Sequence, residues 1–134
     1  MVGDTWSPTA SMRTLKYFLA YASKHKARFH PLDFIVAFLQ TKVNNIVFVK
    51  LGFRYTYYFP EYAQYSGKSL RFLKSMYGMT NSEKLFADEL TEWLLESGFI
   101  QSQCQMSIYY KYATDVSNFF VLSYVDDCVY WYTN

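Results

Sequence analysis

The chain has 134 residues, a formal net charge of +2 and a 22% aromatic content that includes 14 Tyr and 12 Phe. A 51% hydrophobic composition excludes a disordered chain, and no apolar run approaches the roughly 18 residues needed to cross a bilayer. The length suits one domain with a real core, and Met1-Val2-Gly3-Asp4-Thr5 lacks a signal peptide's basic flank and apolar stretch. The expectation is an intracellular, cytoplasmic domain with no membrane partner.

Ser7-Pro8 reads as an N-cap followed by proline at the first helical position. Met12, Leu15, Leu19 and Ala22 then fall at helical spacing, with Phe18 widening the stripe. Lys24, His25, Lys26 and Arg28 suit the negative end of that helix. Next comes a short segment from Phe29 to Phe34. Pro31 inside it cannot donate to a ladder and so demands an edge position or a bulge.

Ile46-Val47-Phe48-Val49 predicts another strand, and Arg54 to Ser69 reads as an aromatic-rich excursion. Asn81 or Ser82 can cap a second helix with Phe86, Leu90, Trp93 and Leu94 on one face. Gly98 ends it and Phe99 packs back on Leu94, as in a Schellman stop. Met106–Tyr112 and Asn118–Tyr124 predict strands, and Cys128–Tyr132 the return arm of a hairpin. This order predicts an α+β fold with helices packed on one face of an antiparallel sheet.

Cys104 and Cys128 are far apart with no C-x-x-C, which favours free thiols. His25 and His30 lack the spacing of a metal site. The two basic groups, Lys24 to Arg28 and Lys68, Arg71 and Lys74, are either solvated charge or phosphate-facing.

Chemistry concentrates on three aspartates. Asp126-Asp127 sits between Phe119-Phe120-Val121-Leu122 and Cys128-Val129-Tyr130-Trp131-Tyr132, at the tip of the predicted hairpin. Aspartate is common in turns. Adjacent carboxylates between buried strands repel, however, and a divalent cation is the usual way to keep both charged. Asp33 is likewise embedded in apolar residues. An isolated aspartate followed by a distant Asp-Asp hairpin is the pattern by which a polymerase palm holds two magnesium ions.

Five segments carry a family likeness: Gly3-Asp4-Thr5-Trp6-Ser7-Pro8; Asp33 with Ala37-Phe38-Leu39; Lys74-Ser75-Met76-Tyr77-Gly78-Met79; Gly98-Phe99, Ser102 and Ser107-Ile108-Tyr109; and Tyr124-Val125-Asp126-Asp127. In this order the chain resembles the reverse transcriptase of copia-type LTR retrotransposons. The resemblance implies an RNA-directed DNA polymerase palm, residues 1–134 forming a partial domain without upstream fingers or downstream thumb and RNase H. It would make the segment from Phe29 to Phe34 a central strand carrying Asp33. It implies Asp33, Asp126 and Asp127 as catalytic and metal-binding residues for Mg²⁺, with Mn²⁺ as substitute. It places Phe38, Tyr77, Gly78 and Asn81 around the nucleotide. The implied partners are an RNA or DNA template-primer, dNTPs and the remainder of a pol polyprotein.

Phe38, as a sugar gate, would face the aspartates and stay partly solvent-accessible; as core it would be buried. Tyr77-Gly78 serves a nucleotide-closing loop or an ordinary turn. Ile35, Thr80, Glu83 and Gln105 depart from the family pattern, as does Lys50-Leu51, where two prolines are usual. The alternative function is therefore a catalytically inactive retrotransposon remnant with weak nucleic-acid or protein binding, and the isolated fragment is expected not to extend a primer.

Overall fold

The computed structural model describes residues 5–43, 45–112 and 117–133. Along the chain run α1 (Met12–Lys24), β1 (His30–Asp33), α2 (Ala37–Gln40), β2 (Phe48–Lys50), α3 (Phe53–Tyr58) and a 3₁₀ helix (Pro60–Tyr65). Then come β3 (Ser69–Arg71), α4 (Ser82–Glu96), β4 (Ile100–Gln101), β5 (Ile108–Tyr112), β6 (Asn118–Tyr124) and β7 (Asp127–Tyr132). Five strands form one antiparallel sheet in the order β1-β7-β6-β5-β4, and β2 pairs with β3 in a separate ladder.

The α+β architecture and its antiparallel sheet are those the sequence implied, but the helices are distributed over both faces. Alternation along the strands explains why. Val121, Cys128 and Tyr109 face Phe86, Leu90 and Leu94 of α4 together with Ala37 and Phe38 of α2. Leu122 and Trp131 face Phe18 and Ala22 of α1. A strand such as Phe119-Phe120-Val121-Leu122 carries apolar residues in both phases, so it needs cover on both sides. Trp131 is wholly buried, stacked on Phe120 at 4.1 Å and met by the edge of Phe18 at 6.0 Å.

Helix α1 begins one turn later than Ser7-Pro8 predicts. Ser11 is the cap, its hydroxyl accepting the Thr14 N–H at 3.1 Å, and this satisfies one of the helix's free donors. The later start turns Thr14, Phe18 and Ala22 inward and leaves Met12 and Leu19 exposed. Gly3 and Asp4 lie outside the described residues.

The strand carrying Asp33, β1, lies at the edge of the sheet and not at its centre as the family likeness implied, and there the missing N–H of Pro31 costs no ladder bond. The Schellman stop of α4 forms as read. Phe99 N–H donates to Leu94 O at 3.0 Å and Gly98 N–H to Leu95 O at 2.9 Å, with Gly98 at φ +83°. Trp93, however, stays exposed while Ser82 takes a place on the buried face.

Residues 45–73 form an arm. Its neck is closed by Val43 N–H to Leu73 O, by a Lys42–Lys74 bridge and by Ser75 N–H to Thr41 O. Inside it, the β2–β3 ladder carries α3 and the 3₁₀ helix, which pack on each other.

Candidate active site

The sheet register assembles the aspartates at one end. Asp33, the last residue of β1, is the cross-strand partner of Asp127, which is in turn the partner of Tyr124 on β6. Val125 and Asp126 are the two residues of the connecting turn. Directly opposed residues of an antiparallel pair project to the same face, so Asp33 and Asp127 stand side by side as like charges, an arrangement that destabilises the ladder. Asp127 also borders a groove of about 450 Å³ with Ala10, Met12, Leu15, Tyr124 and Val129.

Asp126 instead meets the loop before α4. The Tyr77 hydroxyl donates to Asp126 Oδ2 at 3.4 Å. The Tyr77 phenol is held above its ordinary value, first by loss of hydration, then by the charge of Asp126 and the hydrogen bond to it, and then by the charge of Asp33. Asp33 and Asp126 thus act on one and the same hydroxyl. Among the described residues no three His, Cys, Asp or Glu side chains stand close enough together to hold an ion. Backbone placement and hard-oxygen chemistry fit Mg²⁺; the side chains would have to turn toward one another to close a site.

Two β-branched residues beside these acids adopt the left-handed conformation: Val125 at φ +56°, next to Asp126, and Val36 at φ +51°, three residues after Asp33. Each stores about 1–3 kcal/mol, a cost that clusters at functional sites.

The remaining candidates fall into different roles. Phe38 is only 5% exposed, its ring lying against Tyr77 at 4.6 Å and edge-on to Phe86 at 6.0 Å. Its ring is a core member, and the solvent accessibility expected of a gate is absent because the half-exposed Tyr77 lies over it. Gly78 follows at φ +87°, a conformation that favours glycine and lets the loop turn at Tyr77. Asn81 occupies the N-cap position of α4 without a side-chain capping bond, and its carbonyl accepts the Leu85 N–H at 3.0 Å.

The sequence motif contains Ser75 but assigns it no role, and Ser82 is legible in the sequence only as a cap. The buried Ser82 hydroxyl donates to Met76 O at 2.6 Å and accepts from the Ser75 hydroxyl at 2.7 Å. These bonds tie the Tyr77 loop to the first turn of α4. The available signal was a small hydroxyl residue at each end of a short loop.

Of the basic groups, His25, Lys26 and Arg28 line a groove of about 510 Å³ with Tyr132 and Thr133, at the opposite end of β7 from Asp127. His25 and His30 are stacked on rings, His25 on Trp131 and His30 on Tyr130 and Tyr132. Lys74 donates to the Gln40 carbonyl at the neck of the arm, whereas Lys68 and Arg71 lie on the arm itself.

Searches of curated proteins and of solved structures return no match. A family described as reverse transcriptase (RNA-dependent DNA polymerase) matches residues 2–134. That span takes in Asp33, the Tyr77 loop and the Asp126-Asp127 turn whose convergence at one end of the sheet has just been described. The chain belongs to the reverse transcriptase (RNA-dependent DNA polymerase) family.

Proposed function

We propose that this chain is the palm portion of a copia-type retrotransposon reverse transcriptase, and that Asp33, Asp126 and Asp127 are its Mg²⁺-holding acids. The observation that carries this reading is the register Asp33–Asp127 beside the Val125-Asp126 turn. It opposes like charges on one ladder, an arrangement that a divalent cation would stabilise. The reaction is attack of a primer 3′-hydroxyl on the α-phosphate of a dNTP, with pyrophosphate leaving. When bound, the ions supply a lowered hydroxyl pKa and neutralise the charge that develops on pyrophosphate.

The chain's own residues position these groups. The tie between Ser75, Ser82 and the Met76 carbonyl fixes the loop that presents Tyr77 to Asp126, and Phe38 backs the Tyr77 ring. In this reading Phe38 shapes the nucleotide site from beneath, Tyr77 and Gly78 form its surface, and Asn81 lies at its rim. Template-primer and dNTP are the partners, within a longer pol polyprotein in the cytoplasm.

Mn²⁺ titration followed by electron paramagnetic resonance tests the acids directly. The chain should bind the ion, and Asp33→Asn and Asp126→Asn should each weaken binding at least about tenfold, since even outer-shell partners of a metal are worth about 10–100-fold. Equal binding by both variants would defeat the assignment. Primer extension on poly(rA) should be undetectable for this segment alone, because positioning supplies most of phosphoryl-transfer catalysis. It should appear when the segment is expressed with fingers and thumb, and vanish again with Asp126→Asn.

A further inference from the structure

We propose that the arm formed by residues 45–73 is a stacking platform for single-stranded nucleic acid, the unpaired template strand in the reading given above, on which this inference rests. The arm holds nine aromatic residues, and its four basic residues, Lys50, Arg54, Lys68 and Arg71, stand against the single acid Glu61. The whole chain is only +2, so the arm's surplus exceeds that of the complete molecule and the remainder is net acidic. Charge is thus sorted onto the element with the most uncovered rings.

These rings are not core. Phe53, Tyr57 and Tyr58 are 76%, 70% and 73% exposed. Helix α3 arranges them in two rows one turn apart, Phe53 with Tyr57 and Arg54 with Tyr58, which together line a concavity of about 480 Å³. The Phe53 and Tyr57 centroids are 6.4 Å apart at 37°. One base inserted between two parallel rings needs about 6.8 Å, twice the stacking step of about 3.4 Å along a strand, so the two rings have to turn out of their 37° tilt and part by about 0.4 Å to admit it. Arg54 supplies phosphate contact or stacks on the next base beside Tyr58. Lys68 already lies over the Tyr65 ring at 5.7 Å.

Exposed rings interleaved with cations match a base-and-phosphate ligand, in which each nucleotide offers one flat face and one negative charge. An acidic protein would use the cations but leave the ring spacing unexplained. A duplex would hide its base faces from the rings.

The test is fluorescence anisotropy of the full chain with labelled oligouridylate of about 12 nucleotides, a length within the usual site sizes of about 4–16. A duplex of the same length serves as competitor. Phe53→Ala and Tyr57→Ala should each weaken binding roughly 5- to 150-fold, the range for loss of a stacked ring, while Tyr57→Phe keeps it. Arg54→Ala should lower the salt slope by about 0.7, one phosphate contact on a single strand. Because these side chains are exposed, the variants should retain the wild-type circular dichroism spectrum, and refolding checks can confirm it.

Unchanged affinity in both ring variants would overturn the proposal, as would duplex competing as well as single strand. Ring variants whose only effect is to abolish self-association in sedimentation would overturn it in favour of a protein partner. Mn²⁺ binding is read on the same samples. If ring-dependent oligouridylate binding persists in a chain that binds no Mn²⁺, the polymerase reading fails and the platform stands. Mn²⁺ binding without ring dependence gives the converse.

Discussion

The sheet and the arm spend similar residues in opposite ways. Around β6 and β7, Phe18 and Trp131 are screened from water, and the partly buried Phe120 is stacked on Trp131. In the arm, Phe53, Tyr57 and Tyr58 stand in solvent on a short helix. The difference lies in the phase of the sequence. Strands with apolar residues in both phases can be covered from two sides, and α1 and α4 supply that cover. A six-residue helix with aromatics at four of its six positions has a face left over whichever way it turns. Aromatic content alone therefore does not identify a core; the availability of a covering element does.

The largest expected contrast is chemical. Burial pushes the Cys128 thiol up to about 11, with the nearby Asp127 charge adding and a hydrogen bond to Ser123 opposing. At pH 8 about one molecule in a thousand carries the thiolate, the reactive form. Iodoacetamide at that pH should modify the exposed Cys104 and spare Cys128, as read by peptide mass spectrometry. A raised acid pKa favours the fold while the thiol is neutral. That contribution is intact below the ordinary thiol range and is lost as pH rises toward 11. Equal labelling of both cysteines would mean that the sheet opens in solution.

Next in size, Trp131→Ala should cost about 3–5 kcal/mol in urea unfolding, whereas Tyr58→Ala should fall within about 0.5 kcal/mol of wild type. Similar values for the two would erase the distinction between sheet and arm. Ser82→Ala should cost about 1–3 kcal/mol, because it leaves the buried Ser75 hydroxyl without its acceptor, while the Met76 carbonyl keeps only the Met79 N–H at 3.2 Å. Smallest is Thr56→Ala, which removes a 3.0 Å bond to the Phe53 carbonyl inside the arm. About 1 kcal/mol is expected, seen as faster proteolysis of the arm with the sheet unaffected.

Much of the sheet could be read in advance because its signals are local. Asn118–Tyr124 was legible from its apolar run and the end of α4 from Gly98-Phe99, while Pro31 left edge and bulge open for β1 and the sheet order decides for the edge. What stayed hidden depended on partners distant in the chain. The start of α1 follows Ser11 rather than Ser7, since which hydroxyl caps a helix depends on where its buried face must point. The two-sided packing required knowing that α1 and α4 land on opposite faces. At the site, the three aspartates were legible as residue types, and their register is a product of the fold. The left-handed Val36 and Val125 could not have been read, because β-branched residues disfavour that conformation.

The buried Ser75–Ser82 pair bears on how the loop can move. Tyr77 stands two residues after Ser75, and Ser82 opens α4, which is seated on the sheet through Phe86, Leu90 and Leu94. A shift of Tyr77 therefore either breaks a hydroxyl bond in a dry setting or drags a fifteen-residue helix across its seat. Asp126 is carried by the same sheet from the other side. The spacing between phenol and carboxylate is thus gauged by the core beneath them, and a swap that thins that core, such as Leu90→Ala, would be transmitted to the site as a change of reach rather than of chemistry.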